Sequence, residues 1–245
     1  YFHTRLYTGT GSSHSVTNNA NAGDFQPDFI WAKNRTDDAG HIAFDSTRGV
    51  NKNLTVNSTN AEATVTTQVT AFNSNGFTMG SNNGANGSSD SLVAWQWKAN
   101  GGTTTTNDAS ATGVGNVDSV YQANTTAGFS IVTFDLTSDS GDKTIAHGLG
   151  QAPDVIIFKN RDDARNWVMH HHTQTPPQYM TPNTTDAVAS SDNFNNSTDP
   201  TSTVFSLETS WHGAHKHVAY CFAEVQGYSK FGSWTGSGNA DGPFV

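Results

Sequence analysis

Short apolar runs alternate with clusters of Asn, Gly, Ser, Thr and Asp along the whole chain, and helical periodicity is almost absent. Apolar runs bounded by turn-forming residues are typical of the strands of an all-β protein. The first set of predicted strands comprises residues 5–7, 29–33, 41–44, 64–72, 76–79 and 92–97. The second set comprises residues 129–134, 143–146, 155–159, 167–170, 204–207 and 218–225.

The two sets of strands are copies of each other. The stretch QPDFIWAKNR at residues 26–35 recurs as APDVIIFKNR at residues 152–161. NSTNA at 57–61 then matches NTTDA at 183–187, and VAWQWK matches VAYCFA further along. Because order and spacing persist over most of each half, the sequence indicates a duplication.

We therefore predict an all-β fold with tandem antiparallel β-sandwich domains of the concanavalin or jelly-roll type. The first repeat covers residues 1–100 and the second covers residues 128–227, while residues 101–127 have the composition of a linker with room for one edge strand. Residues 228–245 either begin a third repeat, because SKFGSWTGSG is similar to TRLYTGTG near the start, or complete the second. A third repeat that is cut off at Val245 predicts a longer parent chain with an array of such units, and a first residue that is Tyr and not Met predicts a missing N-terminus.

The repeated motif itself has a structural interpretation. The strand after each Pro-Asp is apolar on both faces, as expected for a strand covered by a layer on each side. A proline at a strand start needs no amide donor, and Asp28 and Asp154 can accept hydrogen bonds from turn amides. The Lys-Asn-Arg that follows is predicted to mark the exit of the strand to solvent.

Composition and charge narrow the function classes. Hydrophobic residues make up 34% of the chain and charged residues 13%, while aromatic residues reach 11%, which favours a folded β protein over disorder. The net charge of −9 argues against nucleic acid or an anionic membrane as a partner. No apolar run approaches the ~20 residues of a membrane span. Cys221 is the single cysteine, so no internal disulfide is predicted, and a buried thiol is expected.

Several motifs together resemble a known family. They are PDxIxxKNR, FDSTRG, TNAEA, FNSNGFTMGS, VAWQWKA and AYCFAEVQGYSKFGSWTGSGNADGPFV. They resemble a repeated domain in structural proteins of marine bacteriophages, which are tail-fibre-like or associated with the capsid. The resemblance covers nearly the whole chain and implies a concanavalin-type sandwich and an extracellular location on the virion surface. It supplies no catalytic or ligand-binding residues.

Metal and catalytic sites are the alternatives considered. The histidines at 170–172, 212, 215 and 217 could hold Zn²⁺, but the first copy has no such cluster, so solvated histidines and no metal are predicted. Glycoside hydrolysis needs two carboxylates across a cleft, whereas the Asp pairs at 37–38 and 162–163 follow strand ends beside arginines, where turns and ion pairs explain them. No nucleophile elbow or phosphate loop is present. The prediction is a non-enzyme without a cofactor.

Glycan binding is the remaining functional option. Sugars stack on aromatic rings, and polar side chains bind their hydroxyls. The candidate platform lies in the polar loops of the second copy and consists of Trp167, His170, Tyr179, Trp211 and His212. The alternative is that Trp167 and Trp211 pack at the edges of the sandwich.

The leading hypothesis is a non-enzymatic virion structural protein, an outer fibre or a capsid or tail decoration that attaches to host-surface glycans. The alternatives are a polysaccharide depolymerase and a passive assembly spacer. The expected partners are other virion proteins, cell-surface glycans and copies of the chain itself, with a trimer as one option. Neither nucleic acid nor membrane insertion is expected.

Overall fold

The computed structural model of the chain describes residues 1–19, 23–137, 141–191, 197–208 and 213–238. Its paired strands are antiparallel, which confirms the predicted all-β sandwich class. The strands of the first half are β1 (Phe2–Thr8), β2 (His14–Thr17), β3 (Phe29–Asn34), β4 (Ile42–Asp45), β5 (Lys52–Thr55), β6 (Ala63–Thr64), β7 (Val69–Asn73), β8 (Gly76–Met79) and β9 (Ser91–Trp97). Those of the second half are β10 (Thr105–Asn107), β11 (Ser119–Asn124), β12 (Phe129–Asp135), β13 (Asp142–Ala146), β14 (Val155–Asn160), β15 (Val168–His171), β16 (Gln178–Tyr179), β17 (Ala189–Ser190), β18 (Val204–Glu208) and β19 (Lys216–Phe222). Two one-turn helices are α1 (Asn83–Asn86) and α2 (Ala109–Thr112).

The topology repeats, as the sequence duplication predicts. The larger sheet of the first half has the order β1-β9-β3-β4-β5-β6, and the larger sheet of the second half contains β12-β19-β14-β15 in the same arrangement. The registers also correspond, because Phe29 pairs with Trp97 where Val155 pairs with Phe222. The smaller sheets are β2-β8-β7 in the first half and β13-β18 and β16-β17 in the second.

Apolar side chains join these sheets into layers. One cluster, which includes Ile30, Phe44 and Phe77, lies between the two sheets of the first sandwich. A second cluster fills the second sandwich in the same way. A third contains Phe29 and Leu54 from the first half and Phe129, Trp167 and Tyr220 from the second. The two larger sheets therefore pack on each other through their outer faces, and β3 and β14 are apolar on both sides because each contacts two clusters.

The Pro-Asp motif anchors the start of the central strand in both copies. The backbone N–H of Asp28 donates to the carbonyl of Trp97 at 2.8 Å, and that of Asp154 donates to Phe222 at 2.7 Å. The buried Asp28 carboxylate also accepts backbone N–H groups from Ala99, Gly101 and Gly102. The motif thus fixes where the strand meets its neighbour and the turn that follows.

The Lys-Asn-Arg motif shapes the turn at the other end of the strand. The side-chain oxygens of Asn34 and Asn160 each accept two backbone N–H groups of the next residues. The expected exit to solvent is wrong for the second lysine, since Lys159 is fully buried and its Nζ donates to three backbone carbonyls, including that of Thr59 in the first half. Burial lowers the pKa of Lys159 to about 8. The Lys-Asn-Arg motif therefore forms the turn at the end of the strand, and its asparagine and lysine side chains bond to backbone groups.

A buried ionic network joins the two sandwiches. Arg48 forms an ion pair with Asp45, and both side chains are fully buried. Glu62 accepts hydrogen bonds from Arg48 at 2.9 Å and from Arg161 of the second copy at 2.9 and 3.0 Å. The Tyr220 hydroxyl donates to Asp45 at 2.7 Å and accepts from Arg48 at 3.2 Å. Burial opposes the charge on Arg48, but Asp45, Tyr220 and Glu62 raise its pKa above the ordinary value.

The segments between and after the repeats are structured differently from expectation. Residues 101–127 were predicted as a linker with room for one edge strand, and they contain β10, α2 and β11, of which β10 and β11 extend the larger sheet of the second half. Gln122 of β11 also donates to Ser46 and Thr47 of the first sandwich, both at 2.9 Å. In residues 228–238, only Ser229 forms a bridge, to Val225, so this part adds no strand to either sandwich.

Removing the Asp45 carboxylate tests the ionic network. We expect Asp45→Ala to lower the free energy of unfolding by about 3–5 kcal/mol, because the buried Arg48 charge loses its closest partner. Chemical denaturation of the whole chain measures this change. Asp38→Ala is the matched control, since Asp38 is exposed in a loop, and a loss below about 1 kcal/mol for Asp45→Ala would contradict the role of the network.

A buried histidine makes stability depend on pH. His147 is fully buried, its Nδ1 accepts the N–H of Leu149 at 3.2 Å, and its Nε2 lies 3.2 Å from the carbonyl of Thr201. These partners fit the neutral ring with the proton on Nε2. Burial lowers its pKa from 6.5 to about 4.

Because the folded pKa lies below the unfolded value, the unfolded chain binds a proton first as pH falls. We expect His147 to cost about 3 kcal/mol of stability between pH 6.5 and 4. Denaturant titrations at pH 7 and pH 4 measure the loss. His147→Gln should lose correspondingly less, and an unchanged pH dependence in that variant would disprove the assignment.

Candidate functional site

An open cleft of about 760 Å³ lies between the two larger sheets. Among the residues described, its lining is dominated by aromatic and aliphatic side chains from both sandwiches. The aromatic residues are Phe2, Phe29, Trp31, Trp97, Phe129, Trp167, Tyr220, Phe222, Tyr228 and Phe231. Volumes of 300–1,000 Å³ with mainly apolar walls and a few polar groups are usual for ligand sites. The cleft is therefore the candidate site.

The first sandwich supplies one wall of the cleft from β3 and β9. Trp31 lies two residues after Phe29 on β3, and Trp97 of β9 lies directly opposite Phe29, so the three rings share the outer face of the sheet. The indole N–H of Trp31 donates to Nδ1 of His41 at 3.0 Å. Since an indole N–H can only donate, His41 carries its proton on Nε2. Burial and the charge of Lys33 lower the pKa of His41, so the neutral ring is favoured.

The second sandwich supplies the opposite wall from β14, β15 and β19. Ile157, Met169 and Phe222 point into the cleft together with His171. Burial and the neighbouring His172 lower the pKa of His171. The rings of Phe129 and Phe222 lie 4.9 Å apart, so this wall is continuous with the core between the sandwiches.

The segment after β19 covers one end of the cleft. Phe231 lies 6.3 Å from Phe222 between ring centroids, and its backbone N–H donates to Glu224 Oε1 at 2.9 Å. Tyr228 packs edge-on against Tyr1 at 6.3 Å between ring centroids, so the segment after β19 contacts the first described residue at this rim. The rim remains open, because Phe2 and Tyr228 keep 42% and 43% of their surface exposed.

The charge of the cleft restricts its chemistry. In the described part of the chain, no Asp or Glu lines it, and its polar groups come from His41, Asn57, His171, Ser229 and Lys230. Two facing carboxylates, as glycoside hydrolysis requires, are not among these groups. The arrangement can hold a neutral ligand with an apolar face and bind a few hydroxyl or amide groups at the rim.

The structure separates the residues of the predicted glycan platform. Trp167 lines the cleft, but it is buried, and its indole N–H donates to the carbonyl of Thr55 in the first sandwich at 3.0 Å. His170 is buried on the opposite face of β15, and Tyr179 packs against the core of the second sandwich. These three side chains therefore do not share one surface, because alternate residues of β15 point to opposite sides. Trp211 and His212 lie outside the described residues.

The described histidines do not converge as a metal cluster. His170 and His217 are buried and not solvated as expected, and the ring of His217 stacks on Phe134 at 5.3 Å. His215 lies 3.0 Å from the Asp163 carboxylate, in the loop of the second Asp pair. The expected turn role of that pair fits the N–H groups of Asp162 and Asp163, which donate to Asn160, but Arg161 pairs with Glu62 and not with these carboxylates as expected.

One mixed group has ligand atoms close enough to hold a cation. The side chains of Asp154, His172 and Glu224 approach within 4.8 Å of one another. Their atoms already have protein partners, since Asp154 lies 2.7 Å from His172 Nδ1 and accepts the N–H of Glu224. Glu224 in turn accepts from Lys230 and Phe231. Contacts with the turn after β19 therefore explain why these three side chains lie close together.

The fold and the cleft define a duplicated β-sandwich protein with an aromatic cleft between its two copies. The chain belongs to the family described as a domain of unknown function, DUF7483, whose family model matches residues 1–245. No curated protein and no solved structure is significantly similar to it. Within the described residues, no helix is long and apolar enough to cross a membrane.

A charged residue placed in the cleft tests whether it binds apolar molecules. We expect the native chain to bind a neutral apolar dye such as Nile red, and Met169→Glu to weaken that binding about tenfold, because a carboxylate loses hydration when the ligand enters. Fluorescence titration gives both affinities. Val188→Glu is the control, since Val188 is 48% exposed and lies outside the cleft. Equal affinity for both variants would place the dye elsewhere.

Proposed function

We propose that this chain is a non-enzymatic structural protein of a bacteriophage virion, an outer fibre or a capsid or tail decoration, whose cleft attaches to a host-surface glycan. The observation that carries the proposal is the aromatic cleft between the two sandwiches, together with the absence of any carboxylate from its described lining. The resemblance of the repeated motifs to phage structural proteins supports the virion context.

The chemistry of the cleft suits one face of a sugar ring. Trp31 and Trp97 offer partly exposed rings on one wall, on which the C–H face of a sugar can stack. The Nε2–H of His41 and the side chain of Asn57 lie at the same wall and can bind hydroxyl groups. A single such site is weak, but copies repeated over a particle surface add avidity.

A glycan array tests the attachment role. We expect the chain to bind a defined set of glycans, and Trp31→Ala to weaken that binding by more than about tenfold, because a central aromatic contact is lost. Trp234→Ala is the matched control, since Trp234 is 65% exposed and does not line the cleft. Circular dichroism of both variants verifies that they are folded.

The other outcomes decide between the alternatives. A blank array would overturn the attachment role and leave a passive spacer. Cleavage of a polysaccharide by the purified chain would overturn the non-enzymatic role. Immunogold labelling of phage particles tests the virion location, and a chain that is absent from purified particles would contradict it.

A further inference from the structure

One corner of the cleft has the same backbone in both copies but different side chains. The strand pairs β3–β4 and β14–β15 have matching registers, which places His41 of the first copy and Trp167 of the second at equivalent positions. The residues just before them are Gly40 and Asn166. The two copies can therefore be compared group by group at this corner.

The second copy uses the hydrogen-bonding groups of this corner internally. Oδ1 of Asn183 accepts the backbone N–H of Trp167 at 2.9 Å, and its Nδ2 donates to Oδ1 of Asn166 at 3.0 Å. The indole N–H of Trp167 donates to the carbonyl of Thr55 at 3.0 Å. The side-chain donors of Asn183 and Trp167 thus already have acceptors within the protein.

The first copy leaves the equivalent donors to a ligand. Oδ1 of Asn57 accepts the backbone N–H of His41 at 2.9 Å, but Gly40 provides no side-chain acceptor for its Nδ2. Nδ1 of His41 accepts the indole N–H of Trp31, so its proton is on Nε2. No described residue accepts a hydrogen bond from either of these donors, and Trp31, His41 and Asn57 all line the cleft. We call these three residues the donor corner.

The other polar side chains of the described lining add donors and no acidic acceptor. Nδ1 of His171 accepts the backbone N–H of Thr173 at 3.2 Å, which leaves its Nε2 as a donor. The Ser229 hydroxyl already accepts and donates within its own turn. Lys230 is 85% exposed and has a salt-bridge partner at 3.3 Å, and the Tyr228 hydroxyl at the rim can donate as well as accept. The cleft therefore presents mainly neutral donors between aromatic walls.

Neutral donors in an apolar cleft favour a neutral acceptor. A carboxylate would lose hydration there without gaining an unpaired cation, and the net charge of −9 opposes its approach. The carbonyl of an acetamido group accepts hydrogen bonds without burying a charge. Its methyl group can pack on an aromatic ring, while its N–H faces the open rim and water.

We propose that the cleft is specific for N-acetylated sugars, with the acetamido carbonyl bound by Asn57 Nδ2 and His41 Nε2 and the acetyl methyl packed on Trp31. This assignment rests on the proposed glycan-binding function and names the class of glycan. The centroids of the Trp31 and His41 rings lie 6.0 Å apart at an interplanar angle of 82°, so the histidine stands at the side of the indole. The second copy has no equivalent subsite, because its own side chains fill it.

Two disaccharides with the same ring and linkage test the assignment on the full chain. The probe is N,N′-diacetylchitobiose, and the matched control is cellobiose, which carries hydroxyl groups in place of the acetamido groups. NMR titration should show the acetylated disaccharide binding at least about tenfold more tightly, because only it supplies the acetamido contacts. The signal of the Trp31 indole N–H should shift on binding. A disaccharide of glucuronic acid tests the acidic alternative.

A nearly isosteric variant removes the donors of the corner. Asn57→Asp keeps an oxygen for the His41 N–H but replaces the Nδ2 donors by a carboxylate oxygen, so the preference for the acetylated disaccharide should fall to about twofold or less. Asn60→Asp is the matched control, since Asn60 is exposed in the same loop and does not line the cleft. It adds the same charge and should keep the preference.

The outcomes separate this assignment from the attachment role. Equal binding of the two neutral disaccharides, tighter binding of the glucuronic acid disaccharide, or an unchanged preference in Asn57→Asp would overturn it while glycan attachment stands. Array binding confined to glycans without acetamido groups would do the same. If none of the disaccharides binds and the glycan array is blank, the attachment role itself fails, and the assignment fails with it.

Discussion

The buried guanidinium of Arg48 is the constraint on which the arrangement of the two sandwiches depends. A charge with no exposed surface must find acceptors within the protein, and those of Arg48 come from both copies. Separating the sandwiches would remove the Tyr220 hydroxyl from Arg48 and Arg161 from Glu62, so the network would lose these contacts between the two copies. The two larger sheets are thus held face to face, and the cleft exists where they diverge.

Much of the fold follows from the sequence because strands have a local signature. The alternation in β1 and the two-sided apolar character of β3 and β14 are visible in short windows of the sequence. The duplication shows the apolar pattern of β3 a second time in β14. The strands β10 and β11 were harder to predict, since their Asn, Thr and Ser content is that of a linker. Strand β11 pairs with β12 and β10 pairs with β11, contacts that no local pattern contains.

The candidate site was less predictable for a related reason. A search for exposed aromatic rings favours polar loops, whereas Trp31 and Trp97 lie within strands that look like sandwich interior. Only the packing of one copy on the other turns the outer face of each larger sheet into part of a cleft. Glu62 shows the same limit: the matching position of the second copy is Val188, and one of its two arginine partners, Arg161, is 99 residues away, so its role as a bridge emerges only in the folded chain.

The bridge at Glu62 makes the duplicated molecule asymmetric despite its repeated topology. Glu62 pairs with Arg48 of its own copy and with Arg161 of the other, whereas the matching position of the second copy holds Val188. The two copies have therefore become complementary halves, and the first sandwich could not be exchanged for a copy of the second without losing the carboxylate that joins them.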